Sequence, residues 1–155
     1  MGETRLTGKN WLESQGVAYE VISTHETRAE GLVSLLHCHP AQVLVTDFYI
    51  GARAPVLVVH SFNQPVNVEK LSTHAGDTIL RRGTNEECVK ETGLSLGLIH
   101  PFLENYWWKV LDEKIFENET IYIRAGVAGE ILRVEANALK YVIGVVNGLL
   151  AEVTN

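Results

Sequence analysis

The chain has 155 residues, 46% hydrophobic and 21% charged, with a formal net charge of −6. These proportions fit one globular domain spanning 1–155, long enough to bury its own core. With 13 basic against 19 acidic residues, strong stand-alone binding to duplex DNA through phosphates is excluded; contact with one single-stranded end is not. No apolar run reaches the length of a membrane span, and the first residues, MGETRLTGKN, lack a signal-peptide core. Cys38 and Cys88 are too few for a disulfide framework, so free thiols and a cytoplasmic location are expected.

In chain order, residues 5–16 place Leu6, Trp11 and Leu12 at near-helical spacing, with Gly16 as the stop. VAYEVIS (17–23) alternates as a strand, and RAEGLVSLLH (28–37) is helical in pattern despite Gly31. AQVLVTDFYI (41–50) and APVLVVHSF (54–62) are β-rich runs parted by a short turn, which predicts a hairpin. NVEKLSTHAG (67–76) predicts a short helix ending at Gly76, and DTILRR (77–82) a strand. Thr84 and Glu87 have the spacing of a capping box, opening a helix that Gly93 closes. WWKVLD (107–112), TIYIRA (120–125) and GEILRV (129–134) predict strands, the last two joined by a turn between Gly126 and Gly129. The run 136–153 repeats apolar residues at three and four, predicting a closing helix. Hairpin-length connections without strict βαβ alternation predict an α+β fold on a mixed or antiparallel sheet.

GLSLGLIHPF (93–102) fits no regular element. Gly93 and Gly97 loosen an apolar run and Pro101 locks its exit, so the segment either turns a corner or brings bare backbone against a ligand. Other candidate chemistry has a plainer account. His37-Cys38-His39 lacks the second cluster a tetrahedral zinc site needs, so it reads as a helix end and no metal is expected. Neither cysteine has the flanking signature of a nucleophile. The aromatic group Phe102, Tyr106, Trp107 and Trp108 can stack an unpaired base, but it reads first as core. Asp112 is either a substrate-orienting carboxylate or a polar strand end.

Five segments in order resemble the YbaK/ProX family, the bacterial prolyl-tRNA synthetase editing domains: HPAQVLVTDFYI with APVLVVHSF, then VNVEKLSTHAG, ETGLSLGLIHPF and YIRAGVAGEILRV. The resemblance runs from about Trp11 to about Ile143. It implies a mixed, strongly curved, barrel-like central sheet surrounded by helices. It also implies an aminoacyl-tRNA deacylase that hydrolyses the ester of a mischarged small amino acid without a cofactor. The partner would be the aminoacyl-tRNA 3′ end, with possible association with a synthetase. In this family a Gly-x-x-x-Pro loop, here 97–101, lines the aminoacyl pocket and aims its amides at the ester carbonyl, an oxyanion-hole device. Carried over, Gly97, His100, Pro101 and Asp112 are the implied catalytic residues. Val45, Thr46, Leu98, Ile99 and Gly126 are the implied substrate-binding ones. The family's lysine before threonine is here Val45, and Arg53 and Lys109 are the cations that might approach from elsewhere. Its loss leaves open a second outcome, a catalytically degenerate module that binds a tRNA end, a small ligand or a protein partner.

Overall fold

The computed structural model describes residues 7–77, 79–105 and 107–155. Leu6, Thr78 and Tyr106, which figure in the expectations above, lie outside that set. The helices are α1 (Gly8–Ser14), α2 (Ala29–Leu36), α3 (Val68–Ala75), α4 (Asn85–Thr92) and α5 (Ala136–Val142). The strands are β1 (Tyr19–Ser23), β2 (Leu44–Ile50), β3 (Val56–Ser61), β4 (Arg81–Arg82), β5 (Lys109–Asp112), β6 (Thr120–Ile123), β7 (Glu130–Glu135) and β8 (Gly148–Ala151).

Local signals act as their chemistry dictates. Asn67 caps α3 through its side chain, and Gly76 ends that helix in the left-handed conformation. Thr84 and Glu87 form the reciprocal capping box of α4, which Gly93 closes at φ 80°. The hairpin of β2 and β3 pairs Leu44 with Ser61 and Tyr49 with Val56.

The strands form two sheets. One is antiparallel in the order β1-β7-β6; the other is mixed, in the order β4-β2-β3-β5-β8, with β5 parallel to both β3 and β8. β3 is buried along its whole length, as a central strand covered on both faces must be. Val58 packs on one face with Tyr49, Leu71 and Val110, while Leu57 packs with Phe48 and Trp107 in a separate cluster.

Three expectations are corrected. The α+β class and mixed sheet hold, but neither sheet is closed or strongly curled, so there is no barrel. A single parallel bridge between Val43 and Tyr122 joins the two. The predicted closing helix stops at Val142. A 3-10 turn (Ile143–Val146) follows, Asn147 turns left-handed at φ 63°, and the chain becomes β8 along the edge of β5. β-branched Val142, Ile143, Val145 and Val146 pack poorly in a helix, and the strand gains a ladder instead. Gly148 is needed there, because a Cβ would lie 2.3 Å from Ile143 Cγ1. Finally, among the described residues of 77–82 strand structure is confined to Arg81–Arg82, and in 107–112 it begins at Lys109.

Of the aromatic group, Phe102 and Trp107 are core, and Phe102 stacks on Trp11 with centroids 5.2 Å apart. Trp108 is half exposed.

Candidate active site at the fork between two strands

The hydrogen bond from Phe62 N–H to the Val43 carbonyl fixes the phase of the β2–β3 ladder. In this register Val45, Asp47 and Tyr49 bond to β3, and the peptide groups of Thr46 and Phe48 point to the opposite edge. There the Phe48 carbonyl accepts from Gly83 N–H at 2.8 Å. At the other end, Val43 bridges Tyr122 of β6. Between these two attachments β2 and β6 part, and among the described residues no strand lies beside Thr46 on that edge. A cavity of about 250 Å³ fills the fork. Val43, Val45, Thr46 and Asp47 line one wall, Tyr122, Ile123 and Arg124 another.

The third wall is the glycine loop. Leu94, Ile99 and Leu103 are buried in one core cluster and Phe102 in another, so the loop is anchored on both sides of Gly97. Its amides are largely committed: Leu96 N–H donates to Asn85 Oδ1 at 2.8 Å, and Leu98 and Ile99 N–H both donate to the Ser95 carbonyl at 3.0 Å. No partner is recorded among the described residues for Gly97 N–H. A Cβ at Gly97 would meet nothing within 4 Å, and Leu96, Gly97 and Ile99 face the cavity. The segment therefore does both things its composition allowed: it turns a corner and lays bare backbone against a hollow.

Two of the lining residues carry further polar groups. Thr46 Oγ1 is buried without a hydrogen-bond partner. Arg124 is half-buried at the end of β6, and its Nη2 donates to the Glu26 carbonyl. Burial pulls its pKa down, with Glu26 opposing, but a guanidinium stays charged. Arg124 is the one cation among the described lining residues. A profile of the aminoacyl-tRNA editing domain matches residues 24–141, three quarters of the chain and every segment that lines the fork. The chain belongs to the aminoacyl-tRNA editing domain family.

Solved structures share this fold of the editing domain. A crystal structure described as a candidate trans-editing enzyme for prolyl-tRNA synthetase superposes with a TM-score of 0.80 at 18% identity, over 99% of this chain and 97% of that one. A hypothetical protein superposes at 0.83 and 17%, over 95% and 98%. A scaffold used in computational epitope grafting does so at 0.82 and 17%, over 99% and 97%. No curated protein sequence matches the chain significantly.

Of the residues implied by resemblance, Val45, Thr46, Gly97 and Ile99 converge on the editing domain's cavity; Leu98, His100, Pro101, Asp112 and Gly126 are not among its lining residues. His100 is fully buried rather than solvent-facing, and its Nδ1 accepts Phe102 N–H at 3.1 Å, bracing the loop from behind with Pro101. Asp112 is buried against the C-terminal segment, accepting Val153 N–H at 3.2 Å and the Thr154 hydroxyl at 3.0 Å. Gly126 takes φ 94° in the β6–β7 turn. Neither Arg53 nor Lys109 lines the cavity. Lys109 is fully buried, with Nζ bonded to the side chain and carbonyl of Asn105.

The sequence reading missed Arg124, and also Asp47, a lining residue held by His60 at 2.8 Å and Arg82 at 3.3 Å. The one signal for Arg124 was a cation closing an otherwise apolar strand, TIYIR. His37 and His39 cap helical turns: His37 ends α2 at φ 51°, and His39 precedes the 3-10 turn Pro40–Gln42. Burial pushes both cysteine thiols above their ordinary pKa, away from the thiolate that nucleophilic attack requires.

Proposed function

We propose that this domain hydrolyses the ester joining an amino acid to the 3′-terminal ribose of a tRNA. The observation that carries it is the fork cavity, lined both by Thr46 on the open strand edge and by Gly97, whose amide is uncommitted. At about 250 Å³ it lies just under the usual range of ligand pockets, ~300–1,000 Å³. That size suits the aminoacyl group of a small amino acid, with the nucleotide left outside.

Among the described lining residues there is no cysteine, histidine or lysine; the attacking oxygen is that of a water molecule, oriented by the free ribose hydroxyl, and its proton passes on to the leaving ribose oxygen. The water's attack on the acyl carbon pushes the carbonyl electrons onto oxygen. Collapse of that oxyanion breaks the bond to the ribose oxygen, which takes a proton and leaves as a hydroxyl with the free amino acid. Gly97 N–H is the donor that stabilises the oxyanion, held by a loop whose neighbouring amides are already bonded. His100 and Pro101 keep the loop in shape rather than touch the substrate. The partner is the 3′ end of an aminoacyl-tRNA, presented beside a synthetase.

Val45 favours one other function, a binding module that has lost catalysis, because no side-chain charge projects from that position. Deacylation of a panel of mischarged tRNAs by the wild type and by Val45→Lys separates them. Weak or narrow wild-type activity that rises with lysine supports hydrolysis. Activity in the variant alone supports the degenerate module.

A further inference from the structure

We infer that Arg124 binds the phosphate of the tRNA's terminal nucleotide at the cavity mouth, fixing how far the acyl group enters; this rests on the proposed editing role. Of the five N–H donors of a guanidinium, only one hydrogen bond is recorded for Arg124 among the described residues, to a neutral backbone carbonyl. The Glu26 carboxylate, the nearest candidate partner, instead accepts Thr27 N–H at 2.9 Å and Arg28 N–H at 3.0 Å. The guanidinium is thus anchored and charged, and no carboxylate forms an ion pair with it among the described residues. A planar donor fork in that state matches a phosphate bidentately.

The chemistry of the substrate decides which of its groups Arg124 meets. The α-ammonium is repelled by a guanidinium, and its acceptors lie on the facing wall, at the open Thr46 carbonyl and the Asp47 carboxylate. The acyl side chain fits the apolar surface of Leu32, Val43 and Ile131. That leaves the phosphate for the cation. The chain's net charge of −6 makes such a local anchor necessary, because no long-range attraction draws tRNA in. Arg28, the next cation along the chain from Glu26, is by contrast paired with the Glu26 carboxylate at 3.7 Å.

The test uses 3′-deoxy-3′-(alanylamino)adenosine, a non-hydrolysable amide, with and without a 5′-phosphate, titrated calorimetrically against the whole chain. The wild type should bind the phosphorylated form roughly tenfold tighter, the effect of one charge-assisted contact. Arg124→Ala should abolish that advantage while leaving affinity for the unphosphorylated form unchanged, and Arg124→Lys should keep part of it. Adding Val45→Lys to Arg124→Ala should restore it from the opposite wall. Equal weakening of both forms by Arg124→Ala, or no phosphate advantage in the wild type, overturns the inference while leaving the editing role standing. Failure to bind either form, with no deacylation of any charged tRNA, overturns both. A thermal melt of each variant identifies misfolding independently, and where Arg124→Ala fails to fold, Arg124→Lys decides.

Discussion

His60 Nε2 lies 2.8 Å from Asp47 Oδ2, while His60 Nδ1 lies 2.9 Å from the Ser61 carbonyl and 2.8 Å from that of Gln64. Carbonyls only accept, so Nδ1 carries a proton; a carboxylate only accepts, so Nε2 does too. The ring is therefore an imidazolium, paired with an ionised Asp47 that also meets Arg82. Burial opposes both charges, but the mutual hydrogen bond and attraction win, raising the His60 pKa and lowering that of Asp47.

A pH dependence of stability follows. The folded pKa of His60 stands above its ordinary 6.5, so its contribution is whole below that value and fades as pH climbs through the folded pKa. Urea unfolding of wild type and His60→Gln should differ most near pH 5.5, with the gap narrowing towards pH 9. Asp47→Ala strands the imidazolium and should cost about 3 kcal/mol near neutrality. An unchanging gap between wild type and His60→Gln across this range would exclude the imidazolium.

Gly97 offers a test that separates the proposed catalysis from folding. Its Cβ position is empty and its φ is not in the left-handed region, so Gly97→Ala should change unfolding free energy by less than about 0.5 kcal/mol. The methyl enters the fork, and deacylation should fall at least roughly tenfold, since small displacements of reacting groups are costly. Full activity in a stable Gly97→Ala would remove this loop from the site.

Lys109 is a buried ammonium whose pKa burial depresses to about 8, below the 10.5 of an exposed lysine. Between these values the unfolded chain holds more protons than the folded one, so stability should rise with pH across about 8 to 10.5. Lys109→Met removes the charge and leaves Asn105 bonded through Trp107 N–H and Asn147 Nδ2. It should raise stability at pH 7 by about 1–3 kcal/mol and flatten the alkaline slope. Calorimetric melts at several pH values check both.

Asp112 is placed to tie β5 to the C-terminal segment. Asp112→Ala orphans Val153 N–H and the Thr154 hydroxyl, at a cost of about 2–3 kcal/mol, while kcat/KM for the proposed deacylation by the folded protein should stay within about twofold. A large loss of kcat/KM at undiminished stability would return Asp112 to the catalytic machinery.

What the chain discloses before folding is what short-range chemistry decides. The capping box of Thr84 and Glu87, the helix between Asn67 and Gly76, and the β2–β3 hairpin are local, and all three form. The run 136–153 kept its apolar spacing yet broke at Asn147, because the edge that β8 joins belongs to β5, some forty residues earlier. The fork was hidden for a similar reason. Residues 43–47, 96–99 and 122–124 converge only once the two sheets meet at the Val43–Tyr122 bridge, so Arg124 read as the polar end of a strand.

That lone bridge makes Val43 and Tyr122 the crotch of a wedge. Ile99 and Ile131 line the space beyond it and are also core residues, so a change of bulk at either alters the cavity and the packing together. Under the proposed function, retuning what such a domain accepts therefore draws on its core, and each change of preference calls for a compensating one nearby.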